Sequence, residues 1–290
     1  MAEFVRIFEV GPRDGLQNES RLIASQDKIH LVDMLSACGL SKIEVTSFVS
    51  PKWVPQMADA GEVMVGIARK PGISYAALTP NMKGYERARA SGADEVAIFA
   101  AASETFSSKN INCSIAESYE RFRPLLAAAQ ADAIPVRGYV SCVTHCPYEG
   151  AIAPAAVARV SEALLDMGCY EVSLGDTIGA ATPETTDALL AAVLDVAPAD
   201  KFAGHFHDTG GLALANITVA LEHGLRVFDA AVGGLGGCPY APGARGNVAS
   251  ESVLALLADK GFATGVDALR LAEAGRFIGA LVGPREEEPQ

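Results

Sequence analysis

Short apolar runs recur along the chain at intervals that suit one strand and one helix each: "VRIFEVG", "KIEVTSF", "SYAALTP", "EVAIFAA", "PVRGYVSC", "EVSLGDT", "KFAGHFHD" and "VFDAAVGG". They are rich in Val, Ile, Phe and Ala, which fit a pleated, buried strand. Between them the apolar positions fall about one helical turn apart. In "QDKIHLVDMLSACGL", Ile29, Val32, Met34 and Leu35 form such a stripe, and the following Gly39 suits a helix end. The same spacing predicts helices over 59–69, 115–130, 155–168, 183–196 and 211–223, with two more near 248–258 and 266–281.

Eight strand-then-helix units without a composition break predict a parallel sheet closed into a (β/α)8 barrel, a TIM barrel, with the extra C-terminal helices capping it or meeting a partner subunit. One catalytic domain over 1–285 and a disordered polar tail over 286–290 are expected. An open doubly wound sheet is disfavoured, because "FEVGPRDG" after the first strand lacks G-x-G-x-x-G, and "GGLGG" near 233 follows the last strand. The 290 residues, half of them hydrophobic, can bury a large core.

The charge balance of 23 basic against 35 acidic residues, net −12, argues against a nucleic-acid partner and for a small metabolite. No apolar run reaches membrane-spanning length, and the N-terminus lacks the marks of a signal peptide, so no membrane partner and a cytoplasmic location are expected. Cys38, Cys113, Cys142, Cys146, Cys169 and Cys238 contain no C-x-x-C pair and read as reduced thiols.

Barrel chemistry is built at the C-terminal ends of the strands. Polar residues gather there: Arg13 and Asp14 after strand one, Glu44 in strand two, Asp176 at the end of strand six, His205 and His207 on strand seven, and Cys238 and Asn247 on the Gly-rich loop after strand eight. Gly11-Pro12 predicts a sharp turn that aims Arg13 and Asp14 into the mouth. In strand seven the pleat puts Phe202, Gly204 and Phe206 on one face and Ala203, His205 and His207 on the other. The Phe face suits the helix-packed outside, so both imidazoles should point inward and could share one cation. With Asp14 and a side-chain amide such as Asn247, the donors are N and O without thiolate, which suits Mg2+ or Mn2+. A zinc site from Cys142, His145 and Cys146 lacks a fourth ligand, and buried Cys is commonly a small apolar residue. A Schiff-base lysine is disfavoured, since Lys42 and Lys201 open their strands at the wrong face and Lys109 falls on the loop after strand four.

Nearly end to end, the chain resembles the 3-hydroxy-3-methylglutaryl-CoA lyase family, in the metal-dependent lyase branch of TIM barrels that also holds isopropylmalate and homocitrate synthases. The resemblance rests on "EVGPRDGLQNE", "IEVTSFVSPKWVPQMAD", "AASETFSSKNINCSI", "RGYVSC", "CPYEG", "MGCYEVSLGDTIG", "HFHDT" and "GGLGGCPYAPGARGN". The branch shares the Arg-Asp and His-x-His elements, and the "GGLGGCPYA" loop separates lyase from synthase. The resemblance implies cleavage of a 3-hydroxyacyl-CoA to acetyl-CoA and acetoacetate by a retro-Claisen step, a role in leucine degradation and ketone-body formation, and a homodimer or higher homo-oligomer. It implies Asp14, His205, His207 and Asn247 as ligands of a divalent metal, Mg2+ or Mn2+. Asp14 or His205 would take the hydroxyl proton, Arg13 would stabilise the enolate, and Cys238 would protonate it. Glu44 and Asp176 would orient Arg13 and the polar network. Gln17, Ser173 and Thr177 are further substrate-side candidates, and Lys109 and Asn110 correspond to a segment that contacts CoA.

The chain departs from the family pattern at Phe206, where Cys is usual, at Thr144-His145, where Leu-Gly is usual, and at Arg245, where Ser is usual. His145 and Arg245 on mouth loops bear on which acyl group is accepted. A related substrate such as citramalyl-CoA or a longer branched glutaryl-CoA, an acetyl-CoA-dependent condensing synthase, and a non-catalytic CoA-binding barrel are the alternatives.

Overall fold

The computed structural model describes residues 2–238 and 241–283, the side chains of 237, 238 and 241–245 excepted. Eight parallel strands close into a barrel: β1 (Arg6–Glu9), β2 (Lys42–Ser47), β3 (Ser74–Leu78), β4 (Glu95–Ala101), β5 (Val136–Ser141), β6 (Glu171–Asp176), β7 (Phe202–Phe206) and β8 (Val227–Ala230). Each pairs with its sequence neighbours, and β8 closes on β1 through Arg6↔Val227 to Glu9↔Ala230. This is the TIM barrel expected from the eight apolar runs. The surrounding helices are α1 (Ser25–Ser36), α2 (Ala60–Gly66), α3 (Met82–Ala90), α4 (Glu104–Ile111), α5 (Ile115–Ala131), α6 (Pro154–Asp166), α7 (Pro183–Leu194) and α8 (Ala213–Glu222), followed by α9 (Ser250–Asp259) and α10 (Ala268–Val282).

The apolar spacing located α1, α2 and α5 to α10 to within a few residues, but α3 and α4 were not read. In α3 the sequence "MKGYERARA" buries only Gly84, Tyr85 and Ala88, too thin a stripe to show a period. Lys109 and Asn110 therefore lie in the last turn of α4 and not on a loop. Gly39 does adopt a left-handed φ of 86°, but three residues beyond the last residue of α1. A Cβ there would meet the Gly265 carbonyl oxygen at 2.3 Å, so close approach to that chain segment also requires glycine. The tail expected over 286–290 lies outside the described residues. Among the described residues no helix is long and apolar enough to cross a membrane.

The pleat sorts the core into two parts. Outward-facing Ile43, Val45, Val96, Ile98, Val140, Val172, Leu174, Phe202 and Phe206 join the helices in one large apolar cluster. Inside the barrel the apolar filling is small, with Phe8, Ala76, Ala203 and Val227 in one group and Leu78, Ala97 and Tyr139 in another. Charge occupies the remaining interior. Arg137 is fully buried; its Nε donates to Glu171 at 2.7 Å, and its two terminal nitrogens donate to the Asp229 carboxylate at 3.0 and 2.8 Å. The guanidinium also lies over the Phe8 ring, 4.3 Å from its centroid. At the opposite end of the barrel from the strand tips, Lys42 donates to Glu95 and, at 2.7 Å, to Tyr170.

Glu9 follows Ile7 in the pleat and so lies outside the barrel, fully buried. Its Oε1 accepts from the backbone N–H of Gly11 at 2.8 Å and of Val232 at 2.9 Å, and its Oε2 accepts from the Ser250 hydroxyl at 2.6 Å. Burial pushes its carboxyl up to about 7, against the opposing pull of those donors.

Two expectations follow. Arg137→Met leaves Asp229 and Glu171 as unneutralised buried carboxylates and should cost about 3–5 kcal/mol, read as a lower urea midpoint. Because the Glu9 carboxyl binds its proton more tightly when folded, its contribution is present below about pH 4.5 and lost as pH rises through about 7, a loss of about 3 kcal/mol. Glu9→Gln should flatten the stability profile between about pH 5 and pH 8. An unchanged slope in denaturant titrations across that range would exclude Glu9 as its source.

Candidate active site at the barrel mouth

The chain leaves β1 through a single tight turn, Gly11–Gly15, with Pro12 in its first positions. Both glycines are dictated by crowding. A Cβ on Gly11 would stand 2.6 Å from the Glu9 carboxylate, and one on Gly15 would stand 2.6 Å from the Leu235 Cβ. The turn delivers Arg13 and Asp14 over the strand ends, as the Gly-Pro pair suggested.

Arg13 is nearly buried, and its Nε donates to Glu44 Oε2 and one terminal nitrogen to Asp14 Oδ1, each at 2.5 Å. Burial disfavours its charge, but Glu44 and Asp14 outweigh that and raise its pKa further, so it is a permanent cation. Its other terminal nitrogen, Nη2, has no hydrogen-bond partner among the described residues. Asp14 also accepts from Gln17 at 2.9 Å and from Asn247 at 2.8 Å. Burial would raise its pKa, yet the charges of Arg13, His205 and His207 hold the carboxyl well below the usual range.

Both histidines lie on the inner face, with ring centroids 5.4 Å apart, while Phe206 between them packs outward. Their Nε2 atoms stand 3.8 Å (His205) and 3.9 Å (His207) from Asp14 Oδ2. Asp14, His205 and His207 each offer a ligand atom within 4.8 Å of the others. Among the described residues His207 Nδ1 is buried without a hydrogen-bond partner. Two imidazole nitrogens and a carboxylate oxygen, with one of the rings carrying a buried unsatisfied nitrogen, fit a divalent cation. Asn247 reaches the same point through a backbone bridge to His207. It turns its amide nitrogen toward Asp14 and, at 3.3 Å, toward the Leu235 carbonyl, so an oxygen ligand requires that amide to rotate.

The other candidates stand further out. Ser173 is buried beneath His205 and donates to Asp229 at 2.7 Å. Asp176 falls on the outward phase of β6; its carboxylate accepts from the N–H of Ala180 and Ala181, both at 3.1 Å, and from Thr144 at 3.4 Å. Its hydrogen bonds therefore hold the following turn, not Arg13 as expected. Thr177 accepts from the Cys142 N–H at 2.8 Å. Lys109 is exposed, its ammonium 4.1 Å from the Tyr148 ring centroid, and Asn110 beside it is exposed too. His145 opens a short hairpin, His145–Cys146 with Gly150–Ala151. Cys142 and Cys146 are buried, Cys146 against Ser103, and among the described residues they form no metal cluster. The Cys238 and Arg245 side chains lie outside the described residues.

Three residues that shape the site were not read from the sequence. Asp229 Oδ2 lies 3.0 Å from His205 Nδ1, which fixes the ring with Nε2 toward Asp14. Burial lowers the His205 pKa, but the Asp229 hydrogen bond and the charges of Asp229 and Asp14 raise it overall. Burial would raise Asp229; Arg137 and His205 outweigh it and bring it down to about 2. Tyr139 donates to Glu44 at 3.1 Å and accepts from Arg137 at 3.0 Å, joining the Arg13 and His205 sides. The signal was present in the alternation, since Arg137 and Tyr139 share one face of "PVRGYVSC" and Asp229 interrupts an apolar strand.

The HMGL-like family model matches residues 4–278. A Pseudomonas aeruginosa protein, 3-hydroxy-3-isohexenylglutaryl-CoA/hydroxy-methylglutaryl-CoA lyase, is 60% identical over 96% of this chain and 93% of its own length. The mitochondrial hydroxymethylglutaryl-CoA lyase of Gallus gallus is 59% identical over 94% of this chain and 92% of its own. The crystal structure of the HMG-CoA lyase from Brucella melitensis is similar with a TM-score of 0.96 at 60% identity, covering 97% of this chain and 99% of that one. With its barrel and its mouth cluster accounted for, the chain belongs to the HMGL-like family.

Proposed function

We propose that the protein is a carbon-carbon lyase that cleaves 3-hydroxy-3-methylglutaryl-CoA into acetyl-CoA and acetoacetate. The observation that carries this reading is the convergence of Asp14, His205 and His207 within 4.8 Å beside the buried cation Arg13. Asp14, His205 and His207, with Asn247 after rotation of its amide, would hold Mg2+ or Mn2+, which when bound supplies a Lewis acid for the C3 hydroxyl. The hydroxyl proton passes to Asp14 or His205, whose Oδ2 and Nε2 stand 3.8 Å apart. The C2–C3 bond then breaks, C3 becomes the ketone of acetoacetate, and the electron pair moves into the thioester as an enolate.

Arg13 suits that charge because Glu44 and Asp14 fix its guanidinium while Nη2 is left to donate to the thioester oxygen. Protonation of C2 by Cys238 completes acetyl-CoA, a role supported by the family resemblance. The resemblance also supports CoA contacts from Lys109 and Asn110 and a homo-oligomeric assembly. The isohexenyl branch in the name of the Pseudomonas aeruginosa relative favours a second reading, the same cleavage of a longer branched glutaryl-CoA.

Metal-stripped protein resupplied with Mg2+ or Mn2+ should release acetoacetate from 3-hydroxy-3-methylglutaryl-CoA only with the metal, with none from Asp14→Asn and a steep fall in Cys238→Ala. Equal rates in wild type and Cys238→Ala would remove the thiol from the mechanism, and faster turnover of a longer branched glutaryl-CoA would move the substrate assignment. Arg13→Gln should lower kcat by about 10^2–10^3 with a smaller change in KM, since its interaction strengthens as the enolate forms. A change confined to KM would reassign Arg13 to substrate binding.

A further inference from the structure

We propose that Glu9 is a positioning residue that clamps together three backbone segments, the turn bearing Arg13 and Asp14, the stretch leading to Leu235 and the one bearing Asn247, an inference that rests on reading Asp14 and Asn247 as cation ligands. One carboxylate oxygen accepts two backbone N–H groups from segments far apart in sequence: Gly11, which begins the turn carrying Arg13 and Asp14, and Val232, which begins the stretch leading to Leu235. The other oxygen accepts from Ser250, three residues after Asn247.

The three segments meet again above the clamp. Leu235 packs on Gly15, and the Leu235 carbonyl accepts from the Asn247 amide, whose same nitrogen donates to Asp14 at 2.8 Å. Moving either N–H off Glu9 therefore changes the spacing of Asp14 and Asn247 without touching either side chain. The clamp has no slack, because the Gly11 position leaves 2.6 Å between a would-be Cβ and Glu9 Oε1. Among the described residues Glu9 makes no hydrogen bond to the side chain of Asp14, His205, His207 or Asn247, so its effect on them is indirect.

The two oxygens have separate duties, and this separates geometry from charge. In Glu9→Gln the amide oxygen can still accept both N–H groups, and its NH2 can donate to the Ser250 hydroxyl, which is donor and acceptor alike. Glu9→Ala removes all three bonds.

The test is the affinity of the metal-stripped full-length protein for Mn2+ alone, followed by the paramagnetic resonance of free Mn2+. It is run on wild type, Glu9→Gln, Glu9→Ala, and a substitution of Phe122 on α5 chosen to match the loss of melting temperature in Glu9→Ala. Glu9→Ala should bind Mn2+ about 10- to 100-fold more weakly, as for removal of a group that orients metal ligands. Glu9→Gln should stay within about threefold of wild type, and so should the Phe122 variant. Weakening as large in the Phe122 variant as in Glu9→Ala overturns the proposal in favour of general destabilisation, and so does Mn2+ affinity of Glu9→Ala equal to wild type. Glu9→Gln as weak as Glu9→Ala overturns the clamp in favour of charge. Wild type that binds Mn2+ but cleaves no 3-hydroxy-3-methylglutaryl-CoA defeats the proposed function alone, while the affinity series still decides Glu9. Wild type with no Mn2+ affinity defeats both.

Discussion

The bidentate bond between Arg137 and Asp229, 2.8 and 3.0 Å long and wholly inside the barrel, is the interaction on which the site depends. A carboxylate at that depth without a partner would take up a proton or unfold its surroundings. Paired with Arg137, it stays ionised, accepts from Ser173, and holds the His205 ring in one orientation. The same guanidinium donates to Tyr139, which donates to Glu44, which holds Arg13. One chain of buried polar groups thus runs from the middle of the barrel to both halves of its mouth.

That arrangement explains why so little of the interior is apolar. Larger hydrophobic residues would fill the barrel as well, and often more stably, but they could not fix two histidines and an arginine in register above them. The large apolar cluster between sheet and helices supplies the stability instead, and the interior is left to hold charge in place. Glu9 extends the same principle to the outside of β1, where one carboxylate takes the place of several loop contacts.

The departures from the family pattern have unequal consequences. Phe206 replaces the usual Cys between the histidines, yet it faces outward into the helix-lined core and leaves the imidazoles untouched. Thr144 instead places a hydroxyl 3.4 Å from Asp176, inside the loop layer that borders the mouth. The neighbouring His145 begins a hairpin on that same rim. These two departures therefore lie in the loop layer, whereas Arg13, Asp14 and His205 sit on the first turn and the strands.

By itself the sequence determined the barrel, the inward direction of His205 and His207, and the delivery of Arg13 and Asp14 by the Gly11-Pro12 turn. Each follows from a short-range rule: a repeat of strand and helix, the two-residue period of a pleat, or the fixed φ of proline. The thin apolar stripe of α3 defeated the same reading, because a helix that buries only Gly84, Tyr85 and Ala88 leaves no period to detect. Only the tertiary structure decided that Asp229 is the partner of His205, that Asp176 turns away from Arg13 to hold Ala180 and Ala181, and that Glu9 spans three segments. The Glu9 contacts join residues up to 241 positions apart and need β8 set against β1, the Asp229–His205 pair needs β8 beside β7, and the direction of Asp176 is fixed by the turn that follows it.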